Sequence, residues 1–309
     1  MAVSVLSNIR FPKLKIEFRD LPKGFSIFNV DIAFYGILIA IALVIGLLVA
    51  QWQAKRTKQN PEIYLDFVLY AMVFSLVGAR LYYVIFNWKQ FQENIVQILN
   101  IRNGGLAIYG AILGAVLTAS IYCNVKKVSF LKLCDTAVSG LLIGQVIGRF
   151  GNFFNREAFG SYADNIFAMQ IDIQDAGYDY LCSVPQLMAK YHGKETLFLN
   201  ILEIREKTVF VDGITYIQVH PTFLYEAGWN FCLFLFLFFY TRYKKFDGEI
   251  LLLYLFGYGV GRAWIENLRT DPLFLWGTQV PVSQFISVIM AVGALLLLAI
   301  GWKKSFDKN

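Results

Sequence analysis

The chain has 309 residues, of which 57% are hydrophobic and only 16% charged. A soluble domain carries charge on about a quarter of its residues, so this composition excludes an ordinary soluble globular fold. The formal net charge of +6 is no nucleic-acid footprint either, because Lys and Arg gather in short connectors between apolar runs.

Apolar runs long enough to span a bilayer occur at about 29–52, 62–87, 105–123, 131–150, 222–241, 248–268 and 281–302. They predict an all-α polytopic membrane protein of about seven transmembrane helices. The first run is too long for a signal-peptide core and is expected to be the first spanning helix. Orientation follows from the connectors. Lys55, Arg56 and Lys58 follow the first run, Lys126, Lys127 and Lys132 the third, Arg242, Lys244 and Lys245 the fifth, and Lys303, Lys304 and Lys308 the last. These belong in the cytoplasm. The alternate connectors hold fewer, chiefly Lys89, Arg102 and Arg269. The N-terminal Arg10, Lys13, Lys15, Arg19 and Lys23 run against the count, but the majority puts the N-terminus outside and the C-terminus inside.

The chain thus divides into an outer N-terminal segment (1–28), membrane helices 1–4 (29–152), an outer head region (153–220), and helices 5–7 with a cytoplasmic tail (221–309). In the head, Val209-Phe210-Val211 and Ile214-Thr215-Tyr216-Ile217 flank Asp212-Gly213, a hairpin signal. Gln170-Ile171-Asp172-Ile173 supplies a further candidate strand, so a small α/β head is expected. Cys123, Cys134, Cys182 and Cys232 are scattered without a CxxC pair, which argues against a disulfide framework or a zinc site.

The ionisable groups within the runs fall at one depth. With about 1.5 Å of rise per residue, Arg80 and Arg149 each lie about 27 Å from the inner end of their helix, and Arg262 about 21 Å. Tyr35, Tyr109 and Glu226, on helices running inward, lie within about 10 Å of the outer surface. Glu266 stands one turn beyond Arg262 on the same face, and His220 just precedes the fifth run. Asp135, near the cytoplasmic end of the fourth run, is the exception. A lone arginine near a helix end can simply snorkel to the interface. Three on different helices, mixed with carboxylates, point instead to a phosphate site at headgroup depth, since arginine forks match phosphate oxygens. A transporter for an anion or lipid is the alternative, but such sites lie near the midplane between repeats, and no repeat is visible here.

Three segments carry the chemistry. Gly148-Arg149-Phe150-Gly151-Asn152-Phe153-Phe154-Asn155-Arg156-Glu157, closed by Gly160, ends a helix in Gly, amides and charge. A helix end with a turn accounts for Gly151 and one Asn, but not for both arginines. His220-Pro221-Thr222-Phe223-Leu224-Tyr225-Glu226 is by itself an ordinary helix start. The third runs from Gly259 through Arg262, Glu266 and Arg269 to Asp271-Pro272.

Together they resemble the prolipoprotein diacylglyceryl transferase family over nearly the whole chain. The family's GR-x-GNF-x-N-x-E signature is matched from Gly148 to Glu157, its HP-x-x-LYE segment from His220 to Glu226, and its R-x-x-x-E-x-x-R by Arg262, Glu266 and Arg269. Gly78-Ala79-Arg80-Leu81, Gly104-Gly105-Leu106-Ala107-Ile108-Tyr109-Gly110 and Tyr35-Gly36 agree as well. Some members carry histidine, regarded as a base, where Tyr109 stands.

The resemblance implies a multi-pass enzyme of the bacterial cell membrane. It would transfer the diacylglyceryl group of phosphatidylglycerol to the lipobox cysteine of a prolipoprotein signal peptide, without metal or cofactor. It implies catalytic roles for Arg149, Arg262, Tyr109, Glu157 and Glu266. It implies substrate contacts from Arg149, Asn152, Asn155, Gly160, Tyr35, Arg80, His220 and Glu226. The group that deprotonates the thiol stays open among Tyr109, Glu157, His220 and Glu266.

Overall fold

A computed structural model describes residues 7–28, 30–101, 104–275 and 278–307, the Tyr178 side chain excepted. Asn29, Arg102 and Lys308, which figured in the helix boundaries and orientation, lie outside the described residues. The long helices are α1 (Phe34–Arg56), α2 (Glu62–Phe86), α3 (Ile108–Lys126) and α4 (Phe130–Asn155). Four shorter ones follow: α5 (Ile173–Ala176), α6 (Tyr178–Leu181), α7 (Val184–Lys190) and α8 (Glu195–Glu206). Then come α9 (Thr222–Tyr240), α10 (Glu249–Glu266) and α11 (Val282–Phe306). Six of these, α1 to α4, α9 and α11, are long and apolar enough to cross a membrane. Helix α10 coincides with the sixth expected run but carries Glu249, Arg262 and Glu266 within its 18 residues.

The helix ends differ from the apolar runs for physical reasons. The first run was expected from position 29, but β3 (Gly24–Ile27) pairs with β4 (Val30–Ala33) as a hairpin, so α1 begins only at Phe34. Helices α1, α3 and α11 continue past their runs into basic residues, which suit the negative end of the helix dipole. Helix α4 runs on through Gly151 and Asn152 to Asn155, and stops where Arg156 takes a left-handed φ of 55°.

The chain forms two compact units, one of residues 1–46, 141–246 and 252–309, the other of 47–140 and 247–251. The first contains a five-stranded antiparallel sheet in the order β2-β1-β5-β7-β6. Strands β6 (Val209–Val211) and β7 (Ile214–Val219) form the expected hairpin. Asp212 and Gly213 both take positive φ, 52° and 81°, as a two-residue type I′ turn demands. Strand β5 (Met169–Asp172) is the second expected strand.

The surprise is at the N-terminus. Segment 1–28 was read as a separate piece, yet β1 (Ser7–Phe11) pairs with β5, and β2 (Ile16–Leu21) with β1. Four of its five basic residues are in ion pairs: Arg10 and Arg19 with Glu17 (3.6 and 3.1 Å), Lys13 with Asp164 (2.8 Å), Lys23 with Asp175 (3.5 Å).

The sheet's core is a row of fully buried Ile9, Ile171 and Ile217, packed by Leu187, Ile201 and Ile204 from α7 and α8. Each such side chain contributes about 1.5–3 kcal/mol by leaving water. Phe153 near the end of α4 and Phe223 at the start of α9 belong to the same core, so the sheet is tied to the two helix ends that carry Arg149 and Glu226. Arg156, which the motif reading could not place, is a buried brace here. It donates to the carbonyls of Phe154 (2.8 Å) and Leu21 and pairs with Asp175 at 3.5 Å.

In the second unit, α2 and α3 approach closely at Gly78, Gly110 and Gly114, where small residues let helix backbones meet in lipid. Asp135, the outlier by depth, accepts hydrogen bonds from the backbone N–H groups of Gly248 (2.8 Å) and Leu251 (2.9 Å). It caps the start of α10, where a carboxylate is favoured.

Candidate active site

The site grows from one carboxylate. Glu226 lies in the first turns of α9 and is 4% exposed, which a charge tolerates only when paired. Its Oε2 pairs with Arg149 of α4. Its Oε1 accepts from Arg262 Nη1 of α10 at 2.8 Å and lies 3.8 Å from Arg269 Nη1. Arg262 reaches a second carboxylate as well, with Nη2 2.6 Å from Glu266 Oε2. That i,i+4 pair was legible in the sequence; the role of Glu226 as the hub of three arginines was not. Arg269, quoted in the motif but given no role, closes the cluster and makes a two-point contact with Asp271 at 2.9 and 2.8 Å.

Charge decides what this cluster can hold. Three guanidinium groups face two nearly fully buried carboxylates, Glu226 and Glu266. Asp271 is half-exposed and screened by solvent. With Asp271 counted, three guanidiniums meet three carboxylates, and Arg149, whose side chain is 22% exposed, is the most accessible cation. Arg149 is thus the donor of this cluster most open to an incoming anion.

Beside it, the last turn of α4 presents a row of amides. Asn152 Nδ2 and Asn155 Nδ2 both donate to Glu157 Oε1 at 3.1 Å, fixing an otherwise exposed carboxylate. Asn152 lies three residues beyond Arg149, one helical turn along the same face. The ring of Tyr35 packs where Gly151 has no side chain.

Gly160 is the crossing point of the three motif segments. Its N–H donates to His220 O at 2.9 Å, Ser161 N–H to Leu268 O at 2.7 Å, and His220 N–H to Ser161 O at 3.0 Å. A Cβ at Gly160 would stand 2.7 Å from Leu268 O and 2.8 Å from His220 Cβ, so no larger residue fits.

His220 Nδ1 lies 3.2 Å from Tyr225 Oη and 3.3 Å from Asn165 Nδ2, and that amide also donates to Tyr225 Oη at 3.1 Å. Burial holds the imidazole below its ordinary pKa, so it is neutral at pH 7. Asn165 and Tyr225 were absent from the sequence reading of the site. Only Tyr225's place within the His220–Glu226 segment pointed to it.

The remaining two candidates belong to the second unit. Tyr109 opens α3 with its ring 6.4 Å from that of Tyr82. Arg80 is engaged in full. Nε donates to Ile98 O, Nη1 to Gly104 O and Gly105 O, and Nη2 to Gln97 O and Asn100 O, all within 3.0 Å. Its expected contact with a lipid phosphate would have to displace these carbonyls.

The family model described as prolipoprotein diacylglyceryl transferase matches residues 22–300. Proteins named phosphatidylglycerol–prolipoprotein diacylglyceryl transferase are similar over most of the chain. The one from Listeria welshimeri is 38% identical over 90% of this chain and 88% of its own length. That from Clostridioides difficile is 36% identical over 88% and 92%, and that from Finegoldia magna 36% over 93% and 97%. With the motif residues gathered around one buried carboxylate and a family match over nearly its full length, the chain belongs to the prolipoprotein diacylglyceryl transferase family.

Proposed function

We propose that this chain transfers the diacylglyceryl group of phosphatidylglycerol to the thiol of a prolipoprotein lipobox cysteine, at the outer face of the bacterial cell membrane. In this reading α10 also spans, as the sixth of seven helices in chain order, the sheet is an outer head, and the N-terminus is outside with the C-terminus in the cytoplasm. The observation that carries the reading is the convergence of Arg149, Arg262 and Arg269 on Glu226, with Arg149 left partly exposed.

The reaction is a displacement at the glycerol carbon that bears the phosphate ester. The cysteine sulfur forms a C–S bond to that carbon while its C–O bond breaks. The electron pair leaves on the phosphate oxygen, and glycerol phosphate departs. Negative charge moves from sulfur to phosphate, so guanidinium donors fixed beforehand stabilise the transition state more than the ground state. Arg149, the accessible cation, grips the phosphate. Arg262, held between Glu226 and Glu266, supports it, and Asn152, Asn155 and Tyr35 line the lipid side.

The thiol must also lose its proton. Glu157 is the acceptor: its Oε1 is occupied by two amides, which aims the carboxylate and leaves Oε2 for the proton. A free thiol near pKa 8.5 and a free carboxylate near 4.3 differ by about four units, so the nearby cations must lower the thiol for the transfer to proceed. Neutral His220 orients rather than titrates, its Nδ1 face being committed to Tyr225 and Asn165.

The test combines purified protein, phosphatidylglycerol vesicles and a lipobox peptide. The peptide should gain a diacylglyceryl mass with release of glycerol phosphate, and Glu157→Gln should slow this by about 10²–10⁴-fold. An unmodified peptide beside folded protein and abundant lipid would overturn the assignment.

A further inference from the structure

The segment joining α2 to α3 contains two 3₁₀ turns, Trp88–Gln90 and Ile95–Leu99, and an unusual amount of exposed apolar surface. Val96 is 74% exposed and Leu99 83%, with Trp88, Ile95 and Ile101 exposed beside them. At three residues per turn, Val96 and Leu99 share one face, while Gln97 points elsewhere. The face continues chemically into the exposed apolar belt of the flanking helices, through Ile85 and Phe86 on one side and Ile108 and Ile112 on the other. Both helices are apolar enough to span, so the loop sits by necessity at the bilayer surface.

What distinguishes a lipid-facing loop from a wet one is the fate of its carbonyls. In water, irregular backbone is served by solvent; next to hydrocarbon each unserved carbonyl is costly. Here one buried guanidinium serves five. Arg80 donates to the carbonyls of Gln97, Ile98, Asn100, Gly104 and Gly105, with its own position fixed over the rings of Phe91 (5.1 Å) and Tyr83 (6.0 Å). Gly105 has a φ of 76°, and a Cβ there would stand 2.5 Å from Arg80 Nη1, so the turn is shaped around the arginine. Asn94 accepts from Val96 N–H at 3.2 Å and caps the second 3₁₀ turn.

We propose that residues 88–101 form an interfacial paddle that buries Trp88, Val96 and Leu99 at the acyl–headgroup boundary of the leaflet where α2 ends, with Arg80 as the positioning residue that internally satisfies its backbone. The proposal rests on α2 and α3 spanning the membrane, and not on the transfer reaction. A guanidinium with five carbonyl partners cannot be replaced by an ammonium, which has three donors and no planar fork.

The test uses the full chain in phosphatidylglycerol-containing nanodiscs, with nitroxides at Val96→Cys, Leu99→Cys or Gln92→Cys after Cys123, Cys134, Cys182 and Cys232 are changed to Ala. Labels at 96 and 99 should collide severalfold more with oxygen than with a water-soluble nickel chelate, and the label at 92 should show the reverse. Arg80→Lys should shift the label at 99 toward the chelate. Equal chelate access at 92, 96 and 99 would overturn the proposal, as would protection of 96 and 99 only after a lipobox peptide is added. Should the cysteine-free chain fail to fold, a phospholipid with a diazirine near its headgroup, photolysed with the unaltered protein, gives the same answer. Adducts on 88–101 support the paddle, and their absence there, with adducts on α2 and α3, refutes it.

Discussion

Replacing Arg262 by Lys separates a built fork from mere positive charge. Arg262 spans two carboxylates, with Nη1 2.8 Å from Glu226 Oε1 and Nη2 2.6 Å from Glu266 Oε2, and its side chain is 14% exposed. An ammonium keeps the charge but can reach only one of these oxygens well, leaving the other carboxylate short of a partner. Both carboxylates are nearly fully buried. A hydrogen bond to a charged group contributes about 1.5–3 kcal/mol, and stranding a buried charge costs about 3–5 kcal/mol. If about 3 kcal/mol of this is felt in the transition state, Arg262→Lys should run roughly 100-fold slower, since about 1.4 kcal/mol is a factor of ten. The assay is mass gain of a lipobox peptide under single-turnover conditions, with thermal unfolding of the variant in nanodiscs as the control for folding. A second variant, Arg262→Lys with Glu266→Gln, removes the stranded carboxylate. It should regain stability but not rate, because the phosphate support is still missing. A turnover near normal in Arg262→Lys would refute the fork and leave an arginine that only snorkels, as lysine does equally well.

Other outcomes follow from the same geometry. Gly160→Ala pushes a methyl against Leu268 O and His220 Cβ, so it should lower thermal stability by about 1–3 kcal/mol and cut activity with it; an unaltered melting temperature would contradict the packed crossing. His220 has its folded pKa below the unfolded value of about 6.5, so the unfolded chain binds the extra proton first. Its contribution is therefore complete above that value and is lost as pH falls from there through the lower folded pKa; the melting temperature of wild type should drop more between pH 7.5 and 5.5 than that of His220→Gln. Replacing the four free thiols Cys123, Cys134, Cys182 and Cys232 by Ala should leave most activity, because the reacting sulfur belongs to the peptide, and complete loss in a folded variant would indicate a covalent enzyme intermediate instead.

The membrane helices were legible because a bilayer imposes a length: about twenty apolar residues must run together, whatever they pack against. The hairpin at Asp212-Gly213 was legible for a similar local reason, since few dipeptides accept two positive φ angles. Strands β1 and β2 were not, because the pairing of Ile9 with Ile171 joins residues far apart in the chain and leaves no local periodicity to read. The hairpin β3–β4 was hidden for the opposite reason: Val30 to Ala33 are apolar and adjoin a spanning run, so hydropathy alone merges them with α1.

The site divides along the same line. Spacing exposes contacts within one helix, and the pair Arg262–Glu266 was read from it. Depth exposes which helix ends share a level, and it groups Arg80, Tyr35 and Tyr109 with Arg149, Arg262 and Glu226, of which the last three meet in one cluster. Neither says which partner a guanidinium chooses. Arg80, Arg149 and Arg156 all lie within a few residues of a glycine toward one end of a helix, yet they meet three fates. Arg80 serves five loop carbonyls, Arg156 is sealed in the sheet's core with Asp175, and Arg149 keeps a partly exposed side chain on Glu226. The difference is burial and competition. A guanidinium surrounded by unserved carbonyls is consumed by them, because leaving a buried acceptor unpaired costs more than the arginine gains elsewhere. Only where a carboxylate takes part of the fork and solvent reaches the rest does donor capacity remain for an incoming phosphate. Arg149 is the member of the three that meets that condition, and the proposed transfer chemistry rests on its position.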